Sequence, residues 1–269
     1  MRIALSLEYD GSGYAGWQSQ PHGNTVQDQM EQALSAIAGM PIRCNCAGRT
    51  DAGVHALGQV VHFDSPVQRP MTAWTRGVNA HLPADIAVVW ATPVSDAFHA
   101  RFSAESRRYR YVLLSRPVRP ALAHGRAGWY HARLCVDAMA EASRVLLGEH
   151  DFSAFRSSEC QAKTPIKTMR GVSVARQGDT ILFDFSANAF LHHMVRNLVA
   201  ALIEVGKGRA DAQWLAGLLK ARDRRLSPGT FDAAGLYFIG PSYPAHLLSI
   251  PEPSTPETRI MSGPMGFSE

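Results

Sequence analysis

The spacing of apolar residues predicts alternating strands and helices in the first hundred residues. Residues 2–9 alternate apolar and polar positions with a period of two, which is typical of a half-buried strand. After Thr25, apolar residues recur at helical spacing until Gly39, which favours a capped helix between them. The other predicted elements are strands at 41–46, 59–64 and 85–92 and a helix from Pro70. This β-α-β-β-α-β order is typical of a ferredoxin-like unit.

The same order recurs in the second half of the chain. Strands are predicted at 107–114, 171–175, 181–187 and 235–239, and helices at 136–147, 192–205 and 211–222. The sequence therefore predicts an α+β fold of two ferredoxin-like halves, residues 1–101 and 102–248, with antiparallel sheets side by side. The cleft between such halves is the expected binding site. Residues 249–269 are rich in proline and lack a period, so they are predicted to be a disordered tail.

Composition narrows the class of protein. Of 269 residues, 46% are hydrophobic and 19% are charged, which is typical of a globular chain. Charge near the N-terminus argues against a secretory signal, and no apolar run reaches the length of a membrane span. The four cysteines are too scattered for a disulfide framework. We expect a cytoplasmic protein that does not bind a membrane.

Charge is distributed unevenly along the chain. Residues 101–248 contain 21 Lys and Arg against 12 Asp and Glu, whereas residues 1–100 contain 5 against 8. Arginine dominates the basic half, and its planar guanidinium suits phosphate contacts and base stacking. This half is either a nucleic-acid-binding surface or a basic face that only water contacts.

Two glycine-rich stretches are candidate ligand loops. The first, Gly11 to Gly16, has the spacing G-x-G-x-x-G of a dinucleotide-binding turn. That motif must open a helix, but residues 17–23 are typical of a loop, so we disfavour a dinucleotide-dependent enzyme. The second stretch, residues 47–55, carries Arg49 and Asp51 between glycines.

Asp51 has two interpretations. An aspartate in a loop is commonly a turn residue, because its side chain bonds to the nearby backbone. Here the loop joins two apolar strands, and Arg49 is predicted to keep the carboxylate ionised near neutral pH. An ionised and oriented carboxylate is a competent nucleophile or base.

Further candidates lie in the second half. Arg196 shares a helical face with apolar residues, so either its stem covers the core or its charge faces a buried carboxylate such as Asp51. Tyr109 and Tyr111 lie on a basic strand, where they are either core residues or base-stacking platforms. His192-His193 and the cysteine pair at 44 and 46 lack the ligand spacing of a zinc site, so no metal is predicted.

Four motifs in this order resemble the tRNA pseudouridine synthase A (TruA) family. They are Gly48-Arg49-Thr50-Asp51-Ala52-Gly53-Val54-His55, Arg107-Arg108-Tyr109-Arg110-Tyr111, Ala189-Phe190-Leu191-His192-His193-Met194-Val195-Arg196-Asn197 and Gly235-Leu236-Tyr237. The resemblance extends from about residue 2 to residue 245. It implies an isomerase that converts uridine to pseudouridine at positions 38, 39 and 40 of the tRNA anticodon stem-loop, as a homodimer and without cofactor or metal.

The resemblance also implies residue roles. Asp51 matches the catalytic aspartate of the family, and Arg196 matches the arginine that pairs with it. Tyr109 matches the tyrosine that stacks on the target base, and Arg49 matches a loop arginine associated with RNA binding and base flipping. The alternative from another class is a non-catalytic RNA-binding protein in which Asp51 is only a turn residue.

Overall fold

In the computed structural model, described for residues 1–21 and 23–248, ten strands form one sheet against four α-helices. The strands are β1 Arg2–Tyr9, β2 Asn45–Cys46, β3 His55–Asp64, β4 Ile86–Val94, β5 Ser106–Ser115, β6 Gly128–Tyr130, β7 Gly148–Asp151, β8 Ile166–Gln177, β9 Thr180–Ala187 and β10 Leu236–Ser242. The helices are α1 Val26–Ala38, α2 Val136–Ser143, α3 Met194–Gly206 and α4 Ala212–Ala221. The predicted α+β class is confirmed, whereas the predicted tail 249–269 lies outside the described residues.

The strand order is β4-β1-β3-β10-β5-β9-β8-β7, with β2 paired to β3 and β6 paired to β5. Most pairs are antiparallel, but β10 runs parallel to β3 and β6 runs parallel to β5. Strand β10, the last among the described residues, therefore lies at the seam between the elements of the first and second halves. One continuous sheet results, so the position of the loops at this seam is set by backbone hydrogen bonds.

One large hydrophobic core packs the four helices against the sheet. Tyr111 and Leu113 of β5 belong to this core, and Val112 and Leu114 belong to a second, small cluster under residues 123–127. Successive side chains of a strand point to opposite faces, so the two clusters lie on opposite faces of β5. Within the described ranges, no helix has both the length and the apolar content needed to span a bilayer.

Helix boundaries follow local chemistry where caps are present. The Thr25 side chain accepts a hydrogen bond from the Asp28 N–H at the start of α1, and Gly39 ends the helix in the left-handed conformation, as predicted. The helix predicted from Pro70 is instead a short helical segment at 71–79 that contains a π-helix, Ala73–Gly77. Its Trp74 side chain is fully buried, which indicates that packing determines this irregular turn.

Candidate active site

The loop that carries Asp51 is held by its neighbouring strand. It leaves β2 and enters β3, and the Ala47 N–H donates to the Val60 carbonyl at 2.8 Å. The Gln59 side chain binds both backbone polar groups of Gly48. It donates to the Gly48 carbonyl at 2.6 Å and accepts from the Gly48 N–H at 3.4 Å. The loop is therefore anchored to the sheet at its entry, so Asp51 projects from a fixed support.

The glycine-rich segment 11–16 packs against the backbone of the Asp51 loop. A Cβ on Gly11 would lie 1.9 Å from the Val54 carbonyl oxygen, and one on Gly16, whose φ is +92°, would lie 2.7 Å from the Thr50 carbonyl oxygen. The Trp17 N–H also donates to the Thr50 carbonyl at 3.0 Å. These glycines permit close approach of two chain segments. The first helix after them begins only at Val26, so the dinucleotide-binding context is absent here.

Substitution at Gly11 tests this packing. We expect Gly11→Ala to lower the free energy of unfolding by about 3 kcal/mol or more, because the added methyl group meets a backbone oxygen that has little room to shift. Gly13→Ala is the matched control, since no atom of the described residues, apart from its two chain neighbours, lies within 4 Å of its added Cβ. Denaturant unfolding of both variants measures the difference, and equal stabilities would contradict the proposed packing.

Asp51 forms an ion pair with Arg196, which is 145 residues away in sequence. The Arg196 Nη1 donates to Asp51 Oδ2 at 3.3 Å, and its Nε donates to the Phe231 carbonyl at 2.8 Å. The side chains of Arg196 and Asp51 are only 15% and 19% exposed. Arg196 lies in the first turn of α3, so a buried helix carries the charge that faces the loop. The ion-pair interpretation of Arg196 is therefore favoured over a stem that only covers the core.

Two histidines complete the surroundings of the carboxylate. His192 Nε2 lies 3.3 Å from Asp51 Oδ1, and His193 Nε2 lies 3.5 Å from Asp51 Oδ2. His193 adopts the left-handed conformation with a φ of 62°, which is uncommon for a residue other than glycine. This backbone turn lets both neighbouring rings face Asp51, with their centroids 4.0 Å apart.

These contacts control the protonation of the site. Burial raises the pKa of the Asp51 carboxyl, but the contact with His192 and the positive charges around it outweigh burial, and the net pKa lies below the ordinary value. Contact with Asp51 raises the pKa of His192. Burial lowers the pKa of His193, although Asp51 opposes that shift. Asp51 is thus an ionised carboxylate at neutral pH in a half-buried site.

Tyr109 and Tyr111 both lie inside the protein, on β5. The Tyr111 side chain is fully buried in the core, and its hydroxyl donates to the Asp232 carbonyl at 2.9 Å, so the core interpretation holds for this residue. The ring of Tyr109 packs against Phe190 and Phe238, each with a centroid distance of 5.0 Å. Its hydroxyl lies 3.7 Å from the position that a Cβ on Gly48 would take, at the base of the Asp51 loop.

Arg49 occupies a different position from the other candidates. Its side chain is exposed and makes no hydrogen bond or ion pair with another described residue. The largest effects that lower the pKa of Asp51 come from His192, His193 and Arg196. The prediction that Arg49 keeps Asp51 ionised therefore gains no support, because these three side chains, and not Arg49, contact the carboxylate.

Sequence reasoning considered the two histidines only as a metal pair and missed their contact with Asp51. Their donor atoms and an Asp51 oxygen all lie within 4.8 Å of one another, so together they are a set of metal-ligand type. A signal was present in the sequence. His192 and His193 lie within four residues of Arg196, the predicted partner of Asp51, although the structure places both histidines before the first residue of α3.

Comparisons with known proteins agree with the sequence motifs. The family model described as tRNA pseudouridine synthase matches residues 5–103 and 142–244. The tRNA pseudouridine synthase A of Dechloromonas aromatica is 58% identical over 94% of this chain and 97% of its own length. The protein of the same name from Aromatoleum aromaticum is 60% identical over 91% of this chain and 93% of its own length.

A third relative supports the same family, whereas a solved structure is too dissimilar to support any conclusion. The tRNA pseudouridine synthase A of Methylobacillus flagellatus is 56% identical over 90% of this chain and 93% of its own length. A crystal structure of a Cbf5-Nop10-Gar1 complex aligns with 75% of this chain and 45% of that chain at 13% identity, and its TM-score of 0.33 is too low to inform the fold. The family match and the identities over nearly full lengths show that this chain belongs to the tRNA pseudouridine synthase family, the isomerases that convert uridine to pseudouridine.

Proposed function

We propose that this protein isomerises uridine to pseudouridine at positions 38, 39 and 40 of the tRNA anticodon stem-loop, with Asp51 as the catalytic carboxylate. The observation that carries the assignment is the ion pair between Asp51 and Arg196 at 3.3 Å, which joins two family-like motifs in one half-buried site. The reaction breaks the N-glycosidic bond, rotates the uracil and rejoins it through carbon 5, which loses its proton while N1 gains one. Charge develops on the sugar and the base, and an oriented carboxylate stabilises or traps such a species.

The remaining candidates are assigned to substrate binding. The target base is stacked within an RNA stem, so it must flip out of that stem before it reaches Asp51. Flipping costs a few kcal/mol. Phosphate contacts from the basic second half offset this cost. Tyr109, below the loop, is proposed to stack on the base, which requires its ring to become more accessible than its 8% exposure. No cofactor or metal is assigned to the reaction.

Arg49 is proposed to contact RNA directly, because it is exposed two residues before Asp51. We expect Arg49→Ala to lower pseudouridine formation by about 10- to 100-fold, the loss expected for one hydrogen bond to a charged group. The melting temperature of this variant should be nearly unchanged, since the exposed Arg49 side chain makes no hydrogen bond or ion pair with another described residue. Arg69→Ala, at another exposed arginine, is the control, and equal activities of the two variants would contradict a role of Arg49 in binding.

The test of the function is nucleoside analysis. Purified protein is incubated with a tRNA transcript that has uridine at positions 38–40, and the digested RNA is analysed by mass spectrometry after chemical labelling of pseudouridine. We expect pseudouridine at these positions and none in a transcript with cytidine there. Binding of the transcript without any base change would support the non-catalytic RNA-binding protein instead.

We also propose that residues 1–101 and 102–248 are two related ferredoxin-like halves. The order β4-β1-β3-β2 in the first part and β10-β5-β9-β8 in the second supports this repeat. The family match in two separate segments, 5–103 and 142–244, agrees with it. A homodimer that acts on tRNA in the cytoplasm is part of the same proposal, and sedimentation velocity of the purified protein tests its oligomeric state.

A further inference from the structure

Asp51, His192 and His193 form a group of metal-ligand side chains at the start of α3. The donor atoms lie within 4.8 Å of one another, and this is the one such group of three among residues 1–21 and 23–248. A carboxylate and two imidazoles suit zinc and neighbouring transition metals better than magnesium or calcium, which prefer oxygen ligands. The chemical identity of the three groups therefore favours a zinc-like divalent cation.

The distances from the two histidine nitrogens to the Asp51 carboxylate suit such an ion. Bonds of about 2.0–2.2 Å in a tetrahedral zinc site place two ligand atoms about 3.3–3.5 Å apart. His192 Nε2 lies 3.3 Å from Asp51 Oδ1 and His193 Nε2 lies 3.5 Å from Asp51 Oδ2, and the three ligand atoms lie within 4.8 Å of one another. Neighbouring residues of a regular strand would point to opposite sides. The positive φ of His193 instead brings both rings to the same carboxylate.

A metal ion can reach the site from solution, but the Arg196 guanidinium already contacts the Asp51 carboxylate. The side chains of His192 and His193 are 34% and 27% exposed, so an ion from solution can reach both rings. Arg196 binds the same carboxylate, and its Nε is held by the Phe231 carbonyl. The guanidinium therefore stays nearby and opposes a second positive charge.

We propose that the RNA-free protein binds one zinc-like divalent cation through Asp51, His192 and His193, in competition with the ion pair between Asp51 and Arg196. The ion occupies the carboxylate, so it inhibits any reaction that uses Asp51. This proposal does not depend on the identity of the RNA substrate, because binding is measured without RNA. It also assigns no metal to the reaction itself.

Isothermal titration of the metal-free, full-length protein with zinc chloride tests the site. We expect one equivalent to bind, with the affinity lowered at least about tenfold in His192→Gln and in His193→Gln, since even outer-shell partners of metal ligands contribute that much. Arg196→Gln should bind zinc more tightly than the wild type, because the competing charge is gone. A loss of stability alone would weaken zinc binding in every variant, so it would not produce tighter binding in Arg196→Gln.

His99→Gln is the matched control. His99 lies in another histidine pair, with its ring 4.5 Å from that of His62, but no group of three ligands forms there among the described residues. Zinc binding should be unchanged in His99→Gln and in Cys135→Ser, which removes an exposed thiol. If a histidine variant does not fold, Asp51→Asn replaces it. Wild-type affinity in all site variants, or a loss in His99→Gln equal to theirs, would overturn the proposal whatever the outcome of the pseudouridine assay.

Discussion

Asp51→Asn is expected to lower pseudouridine formation on the order of 10⁴-fold, as expected when an enzyme loses a central catalytic side chain. Asparagine has nearly the same size and retains an oxygen that accepts a hydrogen bond from Arg196. It carries no negative charge, so it neither stabilises a developing positive charge nor attacks the substrate. The measurement is the single-turnover rate of pseudouridine formation on a tRNA with uridine at 38–40.

The controls separate chemistry from folding and from RNA binding. Asp51→Asn should bind tRNA and should keep the circular dichroism spectrum of the wild type, because only the contacts of one half-buried side chain with Arg196, His192 and His193 change. Asp151→Asn is the matched variant, since Asp151 also pairs with an arginine, Arg222, at 3.5 Å. Appreciable activity of Asp51→Asn, or an equal loss in Asp151→Asn, would remove Asp51 from the proposed chemistry.

Arg196→Ala is expected to lower the single-turnover rate by about 10²- to 10³-fold, the range for removal of one preorganised donor from an active site. Arg196 joins Asp51 to the Phe231 carbonyl, so its loss removes both a charge and the support that orients the carboxylate. The single-turnover rate of Arg196→Lys should lie between those of the wild type and Arg196→Ala. Lysine restores the charge but not the planar group that reaches both partners.

The comparison for this prediction is Arg222→Ala. Arg222 is 66% exposed and pairs with Asp151 at the surface, so its removal should change the rate by less than about threefold, as expected for a surface ion pair worth at most about 1 kcal/mol. The alternative for Arg196 is a stem that only covers the core. In that case Arg196→Ala would lower stability, but the rate of the folded fraction would match that of Arg222→Ala.

Elements that depend on their own residues were predicted well. The helix after Thr25 begins and ends as expected, because a threonine cap and a left-handed glycine act through neighbouring atoms. The strand predicted at 107–114 is observed as Ser106–Ser115, since the alternation of tyrosine and arginine at its start indicates one buried face of a sheet. The candidate loop around Asp51 was also apparent from its glycines and its flanking apolar strands.

Elements that depend on distant partners were predicted less well. The strand expected at 41–46 is only Asn45–Cys46, because it pairs with β3 for two residues and then ends. The short strands β6 and β7 were not predicted, since each is defined by the neighbour that it pairs with. The helix predicted at 136–147 ends as an α-helix at Ser143 and continues as a 3₁₀ turn, Arg144–Leu146. Pairing and packing decide such boundaries, and neither is local.

The sequence by itself determined the α+β class, the main helices and strands, and the motifs that place the chain in its family. Periodicity, caps and motif residues act locally, so they can be recognised without a fold. Only the tertiary structure decided that β10 lies between β3 and β5 and that α3 faces the Asp51 loop. It also decided which charges surround the carboxylate: exposed Arg49 is not one of them, and His192 and His193 are. The contact between Asp51 and Arg196 spans 145 residues, so it depends on the pairing of β10 with both β3 and β5, which joins the two parts of the sheet.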